Sequence, residues 1–380
     1  MRVLIAGGGT GGHIYPGLAV VAALRRKGPV EFLWVGASRG LEKDLVPREG
    51  IPLVLFPVQA FQRRLSLDTL RTVWRAAGAL GAARSALRRF RPDVVLGTGG
   101  YACGPVVLAA RLMGVPTVIQ EQNALPGWTN RLLGRWVDRV ALGFGEAKPY
   151  FPAAKVVVTG NPLRPEVAVA RRVDGQARFR LERERKTVVV FGGSQGARAI
   201  NAAFQEALPR LERRPDLQFI WVTGAKSFAE VKTGLLARGA VETGEGVRLG
   251  HLQVYPYLHD LPLALAAADL AVSRASAMAL SEMAVLGLPA ILIPLPTAAE
   301  NHQERNARAR EEAGAAVMLR EADLTGGTLA QRIEELLTDP ARLARMADAA
   351  RALGKPGAAA AVANLVWQLG QSHSGGRNIS

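Results

Sequence analysis

One cysteine in 380 residues, Cys103, leaves nothing for an internal disulfide and no thiol set for a structural zinc, and the composition implies a reducing cytosol. Histidine is almost as scarce, with five residues and no HExxH pair for a metal. Long apolar runs are missing too. A long uncharged stretch, between Glu282 and Glu300, carries Pro289, Pro294 and Pro296, whose missing N–H donors suit a buried strand and loop and not a membrane-spanning helix. The start, MRVLIAGGGTGGH, enters a strand and a glycine turn at once, leaving no room for the apolar core and cleavage site of a signal peptide. The expectation is a chain that is neither exported nor membrane-spanning.

Acidic residues are outnumbered, and the formal charge of +16 implies attraction to polyanions: nucleic acid, an anionic membrane surface or phosphorylated substrates. Aromatics are only 6% and do not interleave with basic residues as in single-strand binders, so nucleic acid is not expected as a partner. Much of the excess is arginine scattered along predicted helices, which reads first as a solvated surface.

A hydrophobic share of 49% in a chain of this length predicts two domains. Short β-branched runs alternate with longer amphipathic ones at Val3 to Ala6, Phe32 to Val35, Leu53 to Phe56, Val94 to Gly97, Pro116 to Gln120 and Val140 to Leu142. That rhythm predicts βαβ units and a parallel sheet. It restarts after a charge-rich segment, Arg164 to Lys186, with strands at Thr187 to Phe191, Phe219 to Val222, Leu270 to Val272, Ala290 to Ile293 and Ala316 to Met318. The fold class is therefore α/β, with two Rossmann-like parallel-sheet domains facing across a cleft. The expected division is 1–163, 164–356, and a C-terminal helix with a disordered polar tail over 357–380, the tail starting at Gln371. Ligands of such sheets sit beyond the carboxyl ends of the strands.

Three glycine-rich turns follow strands and open helices: Gly7 to His13 (GGGTGGH), Gly97 to Pro105 (GTGGYACGP) and Gly192 to Arg198 (GGSQGAR). Glycine lets backbone N–H groups approach an anion, and the following helix aims its positive dipole end at the same spot, so three such loops predict phosphate binding. The first loop matches GxGxxG, but the second strand runs into Gly36 and Ala37 where a dinucleotide site needs an acidic residue. No GK[ST] follows any loop, which argues against a nucleoside triphosphatase. In the third loop Gly192, Ser194 and Gly196 spell GxSxG, and Asp269 and His302 follow in the chain order of an α/β-hydrolase triad. An esterase with Ser194 as nucleophile is the alternative reading, and it leaves the two N-terminal loops without work.

Together with Glu121-Gln122-Asn123, Gly160-Asn161-Pro162-Leu163-Arg164 and the Ser273 to Gly287 segment, these loops resemble the MurG family of glycosyltransferases over essentially the whole chain. The resemblance implies a B-type glycosyltransferase fold. It implies transfer of N-acetylglucosamine from UDP-N-acetylglucosamine to the 4-hydroxyl of the muramoyl sugar of undecaprenyl-diphospho-muramoyl-pentapeptide, converting lipid I to lipid II at the cytoplasmic face of the cell membrane. Carried over by position, it sets Ser194 on the diphosphate, Arg164 near the nucleotide, Asn123 with Thr10, Gly11 and Gly12 around the sugar, and Glu282 on the ribose. The donor-binding helix supplies Ala277, Met278, Ala279, Leu280 and Ser281 as well. Gln303 and Asn306 match positions near the donor sugar, and Leu258 matches a backbone contact to uracil. Ser276 departs from the glycine the family often has there. Gly99, Gly100 and Tyr101 are assigned to the acceptor.

The α-linked donor and β-linked product of the family imply a single inverting displacement, so the acceptor hydroxyl must lose a proton. His13 is the candidate base, with Tyr101 and Glu121 as alternatives. Independently of the resemblance, no two aspartates lie two residues apart, so the DxD pair that holds a metal in many nucleotide-sugar enzymes is missing. A mechanism without metal or cofactor is expected, in which N–H groups, helix dipoles and arginines stabilise the leaving diphosphate.

The segment Arg63 to Arg91 reads as a basic amphipathic helix. Leu70, Val73, Trp74, Ala77 and Leu80 keep the spacing of a packed face, and Arg63, Arg64, Arg71, Arg75, Arg84, Arg88, Arg89 and Arg91 form the surplus. Each arginine adds about 1 kcal/mol at an anionic leaflet, enough in sum for reversible peripheral attachment. Such attraction fades within about 8 Å at physiological ionic strength, so salt should release the protein from anionic vesicles. Replacing Arg64, Arg71, Arg75 and Arg88 by glutamine should weaken vesicle flotation and slow transfer to a lipid acceptor while sparing a water-soluble acceptor analogue. Equal loss on both acceptors would remove the membrane role.

Overall fold

Strands covered on both faces read as unbroken apolar runs, and Val188, Val189 and Val190, all fully buried, show the pattern. The computed structural model describes residues 1–38, 40–56, 68–100, 102–193 and 195–377, and for 68–77 and 375–377 the backbone alone. Tyr101, Ser194 and the stretch Arg63 to Leu67 thus lie outside the described residues, as do the side chains of Leu70, Arg71, Val73, Trp74, Arg75 and Ala77.

The chain forms two units, Met1–Arg164 with Pro356–Ser380, and Pro165–Lys355. The first holds seven strands, β1 (Arg2–Gly7), β2 (Glu31–Ala37), β3 (Leu53–Phe56), β4 (Val94–Gly99), β5 (Thr117–Glu121), β6 (Arg139–Leu142) and β7 (Val156–Val158). They pair in the order β3-β2-β1-β4-β5-β6-β7, all parallel. The second unit holds β8 (Lys186–Phe191), β9 (Leu217–Val222), β10 (Val241–Glu242), β11 (Val247–Leu249), β12 (Leu252–Tyr255), β13 (Leu270–Ser273), β14 (Ala290–Leu292) and β15 (Ala316–Met318). Their order is β10-β11-β12-β9-β8-β13-β14-β15, parallel except for the antiparallel β10-β11-β12 edge. Strand order reverses between β1 and β4 in one unit and between β8 and β13 in the other, the switch points where ligands of such sheets bind.

Every strand expected from β-branched runs is present. The short strands β7, β10, β11 and β12 were not foreseen.

In the helix Asp68–Phe90, Leu80, Ala83, Leu87 and Phe90 pack on the core while Arg84, Arg88 and Arg89 face out, the amphipathic division its sequence suggested. Trp34 on β2 is fully buried beneath the first glycine turn, and its indole N–H donates to the Gly7 carbonyl at 2.7 Å. Gly17 makes room for this ring, since a Cβ there would lie 2.4 Å from it.

The chain returns to its first unit at the end. In the helix Ala358–Arg377, Val362, Ala363 and Val366 are fully buried in one cluster with Val3 and Ile5 of β1 and Val94 and Leu96 of β4. The helix runs through Gln371, where the sequence suggested a disordered tail. Gly370 lies close to Met1 and Val94, and Ser372 and Ser374 bond back to the carbonyls of Gln368 and Gly370, so the polar composition is absorbed within the helix. Val366→Ala removes two buried carbons and should cost about 1.5 to 2.5 kcal/mol. Hydrogen exchange should show the loss at β1 and β4 amides and not at β8 and β9; unchanged protection at β1 would mean that the helix is not part of that core.

Candidate active site

In the first unit the site is built at the carboxyl ends of β1 and β4, where glycines let two turns touch. The Gly8 N–H donates to the Gly99 carbonyl at 3.2 Å. Gly99 and Gly100 have φ of 103° and 86°, and a Cβ on Gly100 would meet the Gly8 carbonyl at 2.3 Å, so no larger residue fits. Glu42, which the sequence analysis passed over, lies beneath the first turn. It is fully buried, accepting from Gly9 N–H at 2.8 Å and Ala37 N–H at 2.7 Å. The expectation that this loop offers its N–H groups to a phosphate therefore fails at Gly8 and Gly9, whose donors are spent inside the protein. The signal was an acidic residue five positions past the end of β2, outside the strand-end position that a dinucleotide site uses.

The helix Gly11–Arg25 opens at Thr10 and carries His13 in its first turn. His13 Nδ1 lies 3.1 Å from the Thr98 carbonyl. A carbonyl can only accept, so Nδ1 holds the proton and the neutral ring keeps its lone pair on Nε2. The same carbonyl accepts from Gln122 Nε2 at 2.6 Å, and Gln122 is tied through Gln120 to Asn161 in a buried amide network. Arg164 stacks over the Tyr15 ring, 5.4 Å from its centroid.

Glu121 ends β5 and is buried. Burial pushes its carboxyl above the usual range, and the N–H donors of Asn123, Asn130 and Gly127 pull it back. One oxygen accepts from the Asn123 backbone and side chain at 2.9 and 3.2 Å, the other from Asn130 and Gly127 at 2.8 and 3.2 Å. With both oxygens occupied, Glu121 orients Asn123. Burial pushes the Cys103 thiol up to about 11, so no thiolate is available nearby.

In the second unit the switch point joins the turn after β8 to the turn after β13. Gly193 and Gly196 have φ of 86° and 76°, the Gly196 N–H donates to the Gly193 carbonyl, and the helix Arg198–Leu211 follows. After β13, Ser276 caps the helix Ala277–Leu286 with its side-chain oxygen on Ala279 N–H at 3.4 Å, so the departure from glycine supplies an N-cap. Neither helix has an acidic residue in its first turn, which leaves both positive dipole ends uncompensated from within. Ala277, Ala279, Leu280, Ser281 and Glu282 are buried on the second helix, Glu282 with 9% exposure, and Met278 is partly buried. Asn306, fully buried, donates to the Ala275 carbonyl and holds the turn before this helix. Gln303 accepts from Leu295 N–H at 3.0 Å, and Leu258 is buried.

The hydrolase alternative does not survive the topology. Asp269 accepts from Thr187 N–H at the start of β8 and pairs with Arg172 and Lys186. Position 194 lies past the other end of that strand, and four residues from Thr187 to Phe191 span roughly 13 Å. Chain order is right for a triad, but acid and serine positions fall at opposite ends of one sheet. Among the described residues no group of three or more His, Cys, Asp or Glu side chains is placed to hold a metal ion.

Two mostly parallel sheets, each with glycine turns at its switch point, define the class of two-domain nucleotide-sugar enzymes with the B-type glycosyltransferase fold. Residues 3–142 match the glycosyltransferase family 28 N-terminal domain and residues 187–362 the family 28 C-terminal domain. The chain belongs to glycosyltransferase family 28 and, within it, to the MurG enzymes. It is 44% identical, over 97% of its length and 99% of the relative's, to the UDP-N-acetylglucosamine–N-acetylmuramyl-(pentapeptide) pyrophosphoryl-undecaprenol N-acetylglucosamine transferase of Halalkalibacterium halodurans. The enzyme of the same description from Desulforudis audaxviator is 44% identical over 97% of this chain and 98% of its own. The crystal structure of Acinetobacter baumannii MurG superposes with a TM-score of 0.77 at 30% identity, covering 97% of this chain and 99% of that one. A UDP-GlcNAc 2-epimerase from Neisseria meningitidis, bound to UDP-GlcNAc, shares the fold with a TM-score of 0.67 at 14% identity, covering 97% of this chain and 100% of that one.

Glu121→Gln should turn an amide NH₂ against N–H donors that now have acceptors, lowering unfolding stability by roughly 2 to 4 kcal/mol. Urea titration measures it, and a change below about 0.5 kcal/mol would show that the Glu121 network does not hold the β5 turn.

Proposed function

We propose that this glycosyltransferase moves N-acetylglucosamine from UDP-N-acetylglucosamine to the 4-hydroxyl of the muramoyl sugar of undecaprenyl-diphospho-muramoyl-pentapeptide, with inversion and without a metal. The observation that carries the mechanism is the His13 Nδ1 bond to the Thr98 carbonyl, which directs the basic lone pair to Nε2. The substrates follow the relatives' names at 44% identity across nearly the whole chain. Nε2 takes the acceptor proton as the oxygen attacks C1 of the sugar, and the bond from C1 to the diphosphate oxygen breaks with its electrons leaving on UDP. The N-terminal ends of the helices Arg198–Leu211 and Ala277–Leu286, with Ser194 and Arg164, supply the positive field for that leaving group. Glu282 accepts from the ribose hydroxyls, Leu258 meets the uracil through its backbone, and Gln303 lies toward the sugar. Thr10, Gly11, Gly12 and Asn123 contact the transferred sugar, and Gly99, Gly100 and Tyr101 the acceptor.

The lipid acceptor calls for a peripheral membrane face on the first unit, at the cytoplasmic surface. Beyond the arginines of Asp68–Phe90, Trp128, Leu132 and Trp136 support such a face, though no motif in the sequence marks them. These lie four residues apart along one stretch, and the two tryptophans are 61% and 52% exposed. Arg111 donates to the Trp136 carbonyl and brings exposed Leu112 to the same area, with Arg131 and Arg135 alongside. Exposed tryptophan beside arginine suits the headgroup layer. No described helix is long and apolar enough to cross a membrane.

Single-turnover transfer in excess EDTA tests the reading. The wild type should form product at an undiminished rate, and His13→Ala should slow the chemical step by roughly 10²- to 10⁴-fold with donor affinity nearly intact. Activity restored only by magnesium or manganese would overturn the metal-free route, and collapse of donor affinity in His13→Ala would overturn the base.

A further inference from the structure

We infer that Glu42 is a specificity-setting positioning residue, which closes the Gly8 and Gly9 turn of the first glycine loop against phosphate oxyanions and reserves that turn for the hydroxyl-bearing part of a sugar. The inference deepens the proposed glycosyl transfer and rests on it for the identity of the ligand. Three separate glycines make room for this one carboxylate. A Cβ on Gly8 would lie 2.1 Å from Oε1, one on Gly36 2.5 Å from Cγ, and one on Gly40 1.9 Å from Oε2. Its two oxygens take one backbone N–H each, from Gly9 and from Ala37. Such a division of acceptors belongs to a carboxylate, and among the described residues no arginine or lysine side chain bonds to it. Fully buried and bonded to no cation among the described residues, its charge repels a second anion more strongly than water would allow.

The loop after β8 is the contrast within the same chain. It has the same glycine turn and following helix, but no described carboxylate bonds to the N–H groups of Gly192, Gly193, Gln195 or Gly196. Two loops of similar sequence thus differ in one described feature, the buried carboxylate that takes the Gly9 N–H in the first and has no described counterpart in the second.

Glu42→Gln tests this, because an amide has one oxygen for two N–H donors and must release one of them. Transfer should slow, yet inorganic pyrophosphate, at saturating UDP-N-acetylglucosamine and varied acceptor, should inhibit the variant roughly tenfold more tightly than the wild type, the scale of one charge-assisted hydrogen bond gained. A residue that only supports the fold would lose turnover without gaining anion affinity, and unchanged or weaker pyrophosphate inhibition overturns the inference. Amide NMR of the wild type keeps the test open if the variant does not fold: the Gly9 resonance should stay in place on titration with pyrophosphate, and a saturable Gly9 shift overturns the inference. If the wild type transfers nothing to the lipid acceptor, the enzymatic reading fails, whereas the Gly9 titration still decides the role of Glu42.

Discussion

The N-terminal site depends on one close approach of backbone to backbone, between the turn at Gly7 to Gly9 and the turn at Gly99 and Gly100. The Gly8 N–H bonds to the Gly99 carbonyl, and a Cβ on Gly100 would meet the Gly8 carbonyl, while Cβ atoms on Gly7, Gly8 and Gly99 would meet Thr98, Glu42 and His13. That proximity sets the Thr98 carbonyl beside the first helical turn, where His13 reaches it. Trp34 fixes the turn from below through the Gly7 carbonyl, so the core of the sheet and the position of the imidazole are mechanically linked. The C-terminal helix buttresses β1 and β4 from the same core cluster.

A second constraint is the accounting of buried polar groups. Gln120, Gln122, Asn161 and Thr98 are almost wholly inaccessible, and their amides and carbonyls satisfy one another. Such a network is stable only when complete, because an orphaned amide in that environment loses its hydration without a replacement bond. Gln122 and His13 share the Thr98 carbonyl, so the orientation of the imidazole is coupled to the Gly160 to Arg164 segment through Asn161.

The two units repeat one architecture with different chemistry at the switch point. In the second, Arg274 donates to the carbonyls of Ile293 and Pro294 and pairs with Glu321, Asn306 holds the Ala275 carbonyl, and Ser276 caps the next helix. These bonds stiffen the turn from behind and leave the helix start without an acidic neighbour in its first turn. In the first unit a buried carboxylate performs the stiffening. A glycine-rich turn is held in place by side chains in both, by a buried carboxylate in one and by arginine, asparagine and serine in the other.

By itself the sequence determined the parallel body of the two sheets, the longer strands that build it, the glycine turns at their carboxyl ends and the family, because strands buried on both faces must be apolar and a turn pressed against another backbone must be glycine; the short strands β7, β10, β11 and β12 it left unmarked. It also set Leu80 inward and Arg84, Arg88 and Arg89 outward on the helix Asp68–Phe90, since 3.6-residue periodicity is local. Only the tertiary structure decided which end of a strand a residue occupies relative to another strand, and that separated Asp269 from position 194 although their chain order suggested a triad. It alone decided where the last helix packs, because Val362 and Val366 meet β1 across more than three hundred residues of chain. It alone assigned Glu42, since a carboxylate five residues past a strand is solvent-facing by default and becomes a loop clamp only when Gly8, Gly36 and Gly40 converge around it. Periodicity and turn chemistry are encoded within a few residues, whereas the partner of a buried charge is fixed by segments that meet only when the sheet has formed.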